Sequence, residues 1–208
     1  MGQMAAHLAH EIRNPIASIN IFLSILQKKC DKDIINSMKS AIFRVERIIK
    51  STLLFSKGIK LNLKEFYLQD LTKELKEVTK YYEYSKEIKF IFTNENPLIY
   101  GDYDLLLLVF QNLIFNAIDA IEEDEEEKGY IKFLYEKKEN HTFKIIDSGK
   151  DFENKNILFE PFKSTKTKGH GLGLTLSKEI IKKHKGEIKL CEKEKGFLIS
   201  LPLAYKQD

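Results

Sequence analysis

Apolar or small residues recur at Ala5, Ala9, Ile12, Ile16, Ile19, Leu23 and Leu26 with alternating spacings of four and three, the seam of a helix packed in a bundle. The pattern predicts a helix over about 3–29. Cys30-Asp31-Lys32-Asp33 reads as a turn in which Asp33 caps the following helix. The same alternation resumes at Ile35, Met38, Ile42, Val45, Ile49, Thr52 and Ser56, with Ile34, Ala41, Ile48 and Phe55 widening the stripe. One hairpin of helices cannot bury so broad a stripe. Two hairpins related by a two-fold axis make a four-helix bundle, so a homodimer is the expected solution, with cover from a second domain as the alternative.

Gly58 ends the second helix and the pattern then changes character, which divides the chain into domains at 1–60 and 61–208. Leu68, Leu71, Leu75 and Val78 space a helix to about Tyr84. Residues 88–92 alternate as a strand, 98–100 form a short strand after Pro97, and 104–121 make a strongly apolar, buried helix. The acidic run 122–127 reads as a solvated loop. Strands are expected over about 130–137 and 142–147, a helix over 172–184, and strands near 187–191 and 197–203. Mixed elements without regular βαβ alternation predict an α+β sandwich, with helices on one face of a largely antiparallel sheet.

Composition narrows the partners. The chain has 208 residues and 43% hydrophobic content, enough for two ordinary cores. Thirty-four basic against 31 acidic residues leave a formal charge of +3, too near balance to favour nucleic acid. Cys30 and Cys191 stand far apart, with no CxxC and no metal-ligand spacing, as in a reducing compartment; neither a disulfide nor a structural metal is expected. No apolar run approaches the roughly 20 residues that span a bilayer, and no signal-peptide order opens the chain. A soluble chain without a membrane partner is the expectation. The chain starts only nine residues before His10, which suggests a sensing region upstream.

Against this frame His10-Glu11-Ile12-Arg13-Asn14-Pro15 stands out. With Ile12 and Ile19 at d positions, His10 falls at b, Glu11 at c, and His7 and Asn14 at f, so all four face outward. Pro15 cannot donate to the Glu11 carbonyl and bends the helix one turn from His10. An imidazole titrating near ~6.5 offers a neutral ring nitrogen as nucleophile, and Glu11 is the adjacent acceptor for the proton on the other. A lone exposed histidine is ordinarily a surface residue, and His7 has that reading. His-Glu-Ile-Arg-Asn-Pro, however, resembles the H-box of sensor histidine kinases, in the form used by soluble nitrogen-regulation-type sensors.

Further boxes follow in that family's order. Asn112 and Asn116 lie four apart on the 104–121 helix and so share a face; a carboxamide oxygen suits Mg²⁺, which completes its shell with water and phosphate. NLIFNAIDAI is similar to the N-box, and the resemblance makes Asn116 the metal ligand. Asp147-Ser148-Gly149 resembles the G1 box, in which the aspartate accepts from the adenine amino group and the glycine lets the base approach. Its usual second glycine is replaced by Asp151, followed by Phe152, which leaves the lid hinge and the nucleotide affinity open. Residues 158–166 resemble the F-box and the start of an ATP lid, with Lys166 near phosphate. Gly169-His170-Gly171-Leu172-Gly173-Leu174 matches the G2 box, where backbone N–H groups at a helix start approach the β- and γ-phosphates.

The resemblance implies a two-domain α+β kinase core: a dimerisation and phosphotransfer hairpin, then an ATP-binding domain using ATP and Mg²⁺. It implies phosphorylation of His10 with Glu11 as base, transfer to an aspartate of a separate response regulator, and a phosphatase role for Asn14. The alternatives are an ATP-gated clamp of the gyrase and Hsp90 superfamily, which has no use for an outward His-Glu-Asn face, and a degenerate kinase that only binds partners.

Overall fold

The computed structural model describes residues 16, 19–26, 32–80, 82, 84–152, 154–160 and 173–203. The chain divides into two compact units, residues 1–59 with 80–83, and residues 60–79 with 84–208.

In the first unit, residues 19–26 are helical (α1) and Lys32–Lys57 form α2. The predicted Asp33 cap lies just inside α2, and the turn containing Cys30 and Asp31 lies outside the described residues. Ile16, Leu23 and Ile35 are buried, as their seam positions require, while Ile19, Leu26, Met38 and Val45 stay 40–43% exposed. The stripe is therefore covered only in part within one chain. Asn20 Nδ2 donates to Glu46 Oε1 at 3.1 Å, tying α1 to α2. Gly58, with φ of 78°, takes the left-handed conformation that ends α2.

The second unit opens with β1 (Lys64–Tyr67), α3 (Leu68–Thr79), β2 (Glu87–Phe92), β3 (Leu98–Gly101) and α4 (Tyr103–Glu122). It continues with β4 (Lys128–Lys137), β5 (Asn140–Asp147), a 3-10 turn (Lys155–Ile157), α5 (Gly173–Lys183), β6 (Glu187–Leu190) and β7 (Gly196–Pro202). The main sheet has the order β2-β4-β5-β7-β6; β2 and β4 run parallel and the other neighbours antiparallel. The registers put Phe133 opposite Ile145, and Phe143 opposite Tyr135 and Ile199, on one face. Helix α4 covers that face: the Phe110 ring sits 5.0 Å from Phe133 and 5.1 Å from Phe143. The opposite face mixes Lys132, Lys144 and Ser200 with Leu134, Ile146 and Leu198, so the main apolar layer lies between the other face and the helices.

Four details differ from the sequence reading. The pair β1·β3 forms a separate two-stranded antiparallel sheet, so Lys64–Tyr67 is a strand that alternation does not reveal. Helix α3 stops at Thr79, whose hydroxyl turns back onto the Lys76 carbonyl at 2.8 Å. Helix α4 is long and apolar enough to cross a membrane by length and composition, which the reading of apolar runs denied; fourteen of its twenty residues are buried, making it a core helix here. Glu122, read as the start of a solvated loop, accepts from the N–H groups of Ser85 (3.0 Å) and Lys86 (2.9 Å) and from the Ser85 hydroxyl (2.8 Å). Partial burial opposes its ionisation, but the hydrogen bonds, led by that from the Lys86 N–H, outweigh this and hold the carboxyl below its usual range.

Asp102 joins three parts of this unit. Its Oδ1 caps α4 by accepting from Leu105 N at 3.1 Å, and its Oδ2 accepts from Asn62 N at 2.7 Å. Its own N–H donates to His184 Nε2 at 2.9 Å, while His184 Nδ1 lies 2.8 Å from the Ile180 carbonyl. His184 is thus a neutral, buried linker, and burial pushes its proton affinity below the ordinary 6.5. His141 is shifted the same way, by burial and then by Lys137. The unfolded chain binds these protons more readily, so the associated stability is complete above about pH 6.5 and declines as pH falls below it. Thermal unfolding followed from ~pH 8 to ~pH 5 is expected to show that decline. His184→Gln, which cannot gain the charge, should reduce the decline to the share that His141 contributes; an unchanged slope would remove His184 as a source.

Candidate functional site

Core-facing positions of β5 alternate through His141, Phe143, Ile145 and Asp147, and the register sets Asp147 opposite Ile131. A carboxylate therefore occupies the last place in an apolar row. It is only 5% exposed, and such a group is costly to bury without partners. The Gly149 N–H, at 3.0 Å, and the ammonium of Lys195 both meet its Oδ1. Asp147 N also donates to the Lys195 carbonyl at 3.1 Å.

The turn after Asp147 is moored on both sides. Ser148 N donates to the Tyr130 carbonyl at 3.1 Å, and Tyr130 N returns a bond to Ser148 Oγ at 2.9 Å. Lys150 N donates to the Ala120 carbonyl at 3.0 Å. A Cβ on Gly149 would stand 2.4 Å from both Ala120 C and Ile121 N. This glycine, expected to admit a base, is required at once for docking the turn against the backbone of α4. Where a second glycine was expected, Asp151 Oδ1 accepts from Phe152 N at 2.8 Å, and the Phe152 ring packs edge-on to Phe197 at 5.4 Å.

One helix links this turn to the start of α5. Asn112 is buried on α4, with Nδ2 3.5 Å from both the Gly173 carbonyl and Ser177 Oγ; the Ser177 hydroxyl donates to that same carbonyl at 2.9 Å. These contacts make Asn112 a support for the first turn of α5. Asn116, one turn along α4 on the same face, is only partly buried, the accessibility a metal ligand needs. No group of three or more His, Cys, Asp or Glu among the described residues is arranged to hold a metal ion. A carboxamide such as Asn116, with phosphate and water completing the shell, is the donor set that suits Mg²⁺.

Phe159 is tied to the same framework: its carbonyl accepts from Thr175 Oγ1 at 3.2 Å and its ring lies 6.1 Å from Phe197. The structure thus brings Asn112 to Gly173, and Asp147 with Gly149 to the far end of α4. His10, Glu11, Asn14, Lys166, Gly169, Gly171 and Leu172 lie outside the described residues. Sequence reasoning missed Lys195. The available signal was parity, since Lys195 precedes Phe197 by two and so shares its core-facing side. The thiol of Cys191 is free and partly buried, and burial pushes its ionisation upward, away from thiolate chemistry.

Comparisons with known proteins match both units. Residues 1–60 match the family model of the His Kinase A (phospho-acceptor) domain, and residues 101–206 that of the histidine kinase-, DNA gyrase B-, and HSP90-like ATPase. Sensor histidine kinase FlgS of Helicobacter pylori is 48% identical over 207 residues, covering 97% of this chain and 54% of that protein. Sporulation kinase C of Bacillus subtilis is 31% identical over 218 residues, covering 99% and 49%. The chain spans about half the length of these curated relatives. Among solved structures, the catalytic domain of histidine kinase ThkA, in a nucleotide-free form, superposes with a TM-score of 0.55 at 29% identity, covering 68% of this chain and 98% of that one. Full-length ShkA in complex with AMPPNP shares the fold, with a TM-score of 0.63 at 18% identity over 100% of this chain and 47% of its own.

Proposed function

The chain belongs to the sensor histidine kinase family of two-component systems, and from that membership we propose that it phosphorylates itself on His10 with ATP and passes the phosphoryl group to an aspartate of a separate response regulator. The observation that carries this reading is the buried Asp147 carboxylate at the end of β5, an acceptor suited to an adenine amino group, in the same unit as the Asn112 and Gly173 contact. A clamp acting by nucleotide-driven closure does not account for residues 1–60, which match a phospho-acceptor domain.

In this reading His10 attacks the γ-phosphorus with one ring nitrogen while Glu11 takes the proton from the other. The bond to the β-phosphate oxygen breaks, and ADP leaves. Asp147 reads the adenine, Gly149 holds the turn that carries Asp147, and Lys166 with the backbone N–H groups of Gly169, Gly171, Leu172 and Gly173 surrounds the phosphates. Asn112 keeps the first turn of α5 in place for that purpose. Asn116 would hold Mg²⁺, which supplies charge neutralisation on the phosphates when bound. Positioning and charge neutralisation account for most of the rate in such a transfer. The partly uncovered stripe of α1 and α2 supports a homodimer, in which Ile19, Leu26, Met38 and Val45 find cover from a second copy. A cytoplasmic setting belongs to the same reading.

Asn14, four residues beyond His10, orients a water for removing phosphate from the regulator. Asn14→Ala is expected to leave ³²P labelling of His10 intact while slowing dephosphorylation of a purified receiver domain by about tenfold or more, the loss typical of removing one positioned polar group. Unchanged dephosphorylation would end that assignment.

A further inference from the structure

The contact between Lys195 and Asp147 is unlike four other ion pairs among the described residues of this unit. Lys128–Glu87, Lys138–Glu136, Lys155–Asp151 and Lys189–Glu187 are all more than half exposed, whereas the side chains of Lys195 and Asp147 are 11% and 4% exposed. Exposed pairs contribute little. A shielded counter-charge favours the ionised form of a buried carboxyl, because one without it favours its protonated form.

Lys195 is held by more than its ammonium. Its carbonyl accepts from Asp147 N, and the adjoining Gly196 carbonyl accepts from Cys191 N at 3.0 Å, which closes the β6–β7 hairpin. The Phe152 ring centroid lies 5.3 Å from the ammonium, and Phe152 is itself packed on Phe197. The lysine is therefore caged between the hairpin and the residues that follow the Asp-Ser-Gly turn. Its ammonium and the Gly149 N–H converge on the same oxygen, Oδ1.

The consequence concerns which base the site accepts. An ionised carboxylate accepts from the amino group at position 6 of adenine and repels the carbonyl oxygen at the same place in hypoxanthine. A protonated carboxyl can donate to that carbonyl. We infer that Lys195 is a positioning and specificity-determining residue: by holding Asp147 as a fixed, ionised acceptor, it makes the site select a 6-amino purine over a 6-oxo purine. This rests on the reading of Asp147 as the adenine acceptor.

The test is calorimetric titration of the chain with ADP and with IDP, for the wild type and for Lys195→Met, Lys195→Arg and Asp147→Ala, with circular dichroism as a check on folding. Lys195→Met is expected to weaken ADP binding by about tenfold or more, the scale of a lost charge-assisted contact. It should weaken IDP less, so that the ADP-to-IDP preference narrows. Lys195→Arg keeps the charge and should retain the preference. Lys195→Gln, with similar length and a donor but no charge, should narrow it as Lys195→Met does, and provides the measurement if the methionine variant folds poorly. Unchanged or tighter ADP binding in the uncharged variants would overturn the proposal, as would an equal loss for both nucleotides, the signature of a purely structural role. Asp147→Ala separates the two levels. If it leaves ADP binding intact, the adenine reading itself fails and the proposal with it; if it abolishes binding while the Lys195 variants keep their preference, only the role of Lys195 fails.

Discussion

Gly149→Ala is expected to destabilise the second unit by about 3 kcal/mol or more and to remove nucleotide binding, because a forced methyl here has nowhere to go. The atoms it would meet at 2.4 Å are backbone atoms of Ala120 and Ile121, in the buried C-terminal half of a helix that fills the core. A flexible side chain could swing aside; a packed helix backbone can only shift as a body. Any such shift carries the Asp147 turn away from α4, since Lys150 N hangs from the Ala120 carbonyl. Gly173→Ala is the contrasting case. A Cβ there would lie 3.7 Å from Asn112 atoms, an ordinary van der Waals contact, so its folding stability should be close to wild type. Urea unfolding of both variants, alongside titration with an ATP analogue, measures this. A Gly149→Ala protein as stable as wild type would mean that the turn is not docked as described.

The second large effect is expected at His10. Glutamine has a similar reach and an amide nitrogen whose lone pair is delocalised, so it cannot attack phosphorus. His10→Gln should therefore take phosphorylation of the chain to background while leaving ATP-analogue binding at the wild-type value, since Asp147, Gly149, Asn112 and Asn116 belong to another unit. A variant that loses both activities together would point to a folding defect rather than a lost nucleophile.

Much of the site was legible because chemistry at this kind of site is local in sequence. Asn112 and Asn116 stand out as paired amides in an apolar helix, and Asp147-Ser148-Gly149 follows directly on an alternating strand; the structure places each within the same unit. What stayed hidden depends on partners distant in the chain. Lys64–Tyr67 carries two charged residues in four and becomes a strand through its pairing with Leu98–Gly101. Glu122 looks like one of a run of solvated acids until the chain near Ser85 and Lys86 folds against it. Lys195 is one lysine among many, and only the β5·β7 register brings it to Asp147. The parallel pairing of β2 with β4 is invisible for the same reason, since alternation sets a strand's faces and not its neighbour's direction.

The most direct measurement is incubation of the purified chain and its His10→Gln variant with Mg²⁺ and γ-³²P-ATP, followed by acid and alkali treatment of the labelled protein. The expected result is label that is lost in acid, survives alkali and is absent from the variant, as a phosphoramidate on His10 requires. Label that survives acid, or that persists in His10→Gln, would contradict phosphorylation at this histidine.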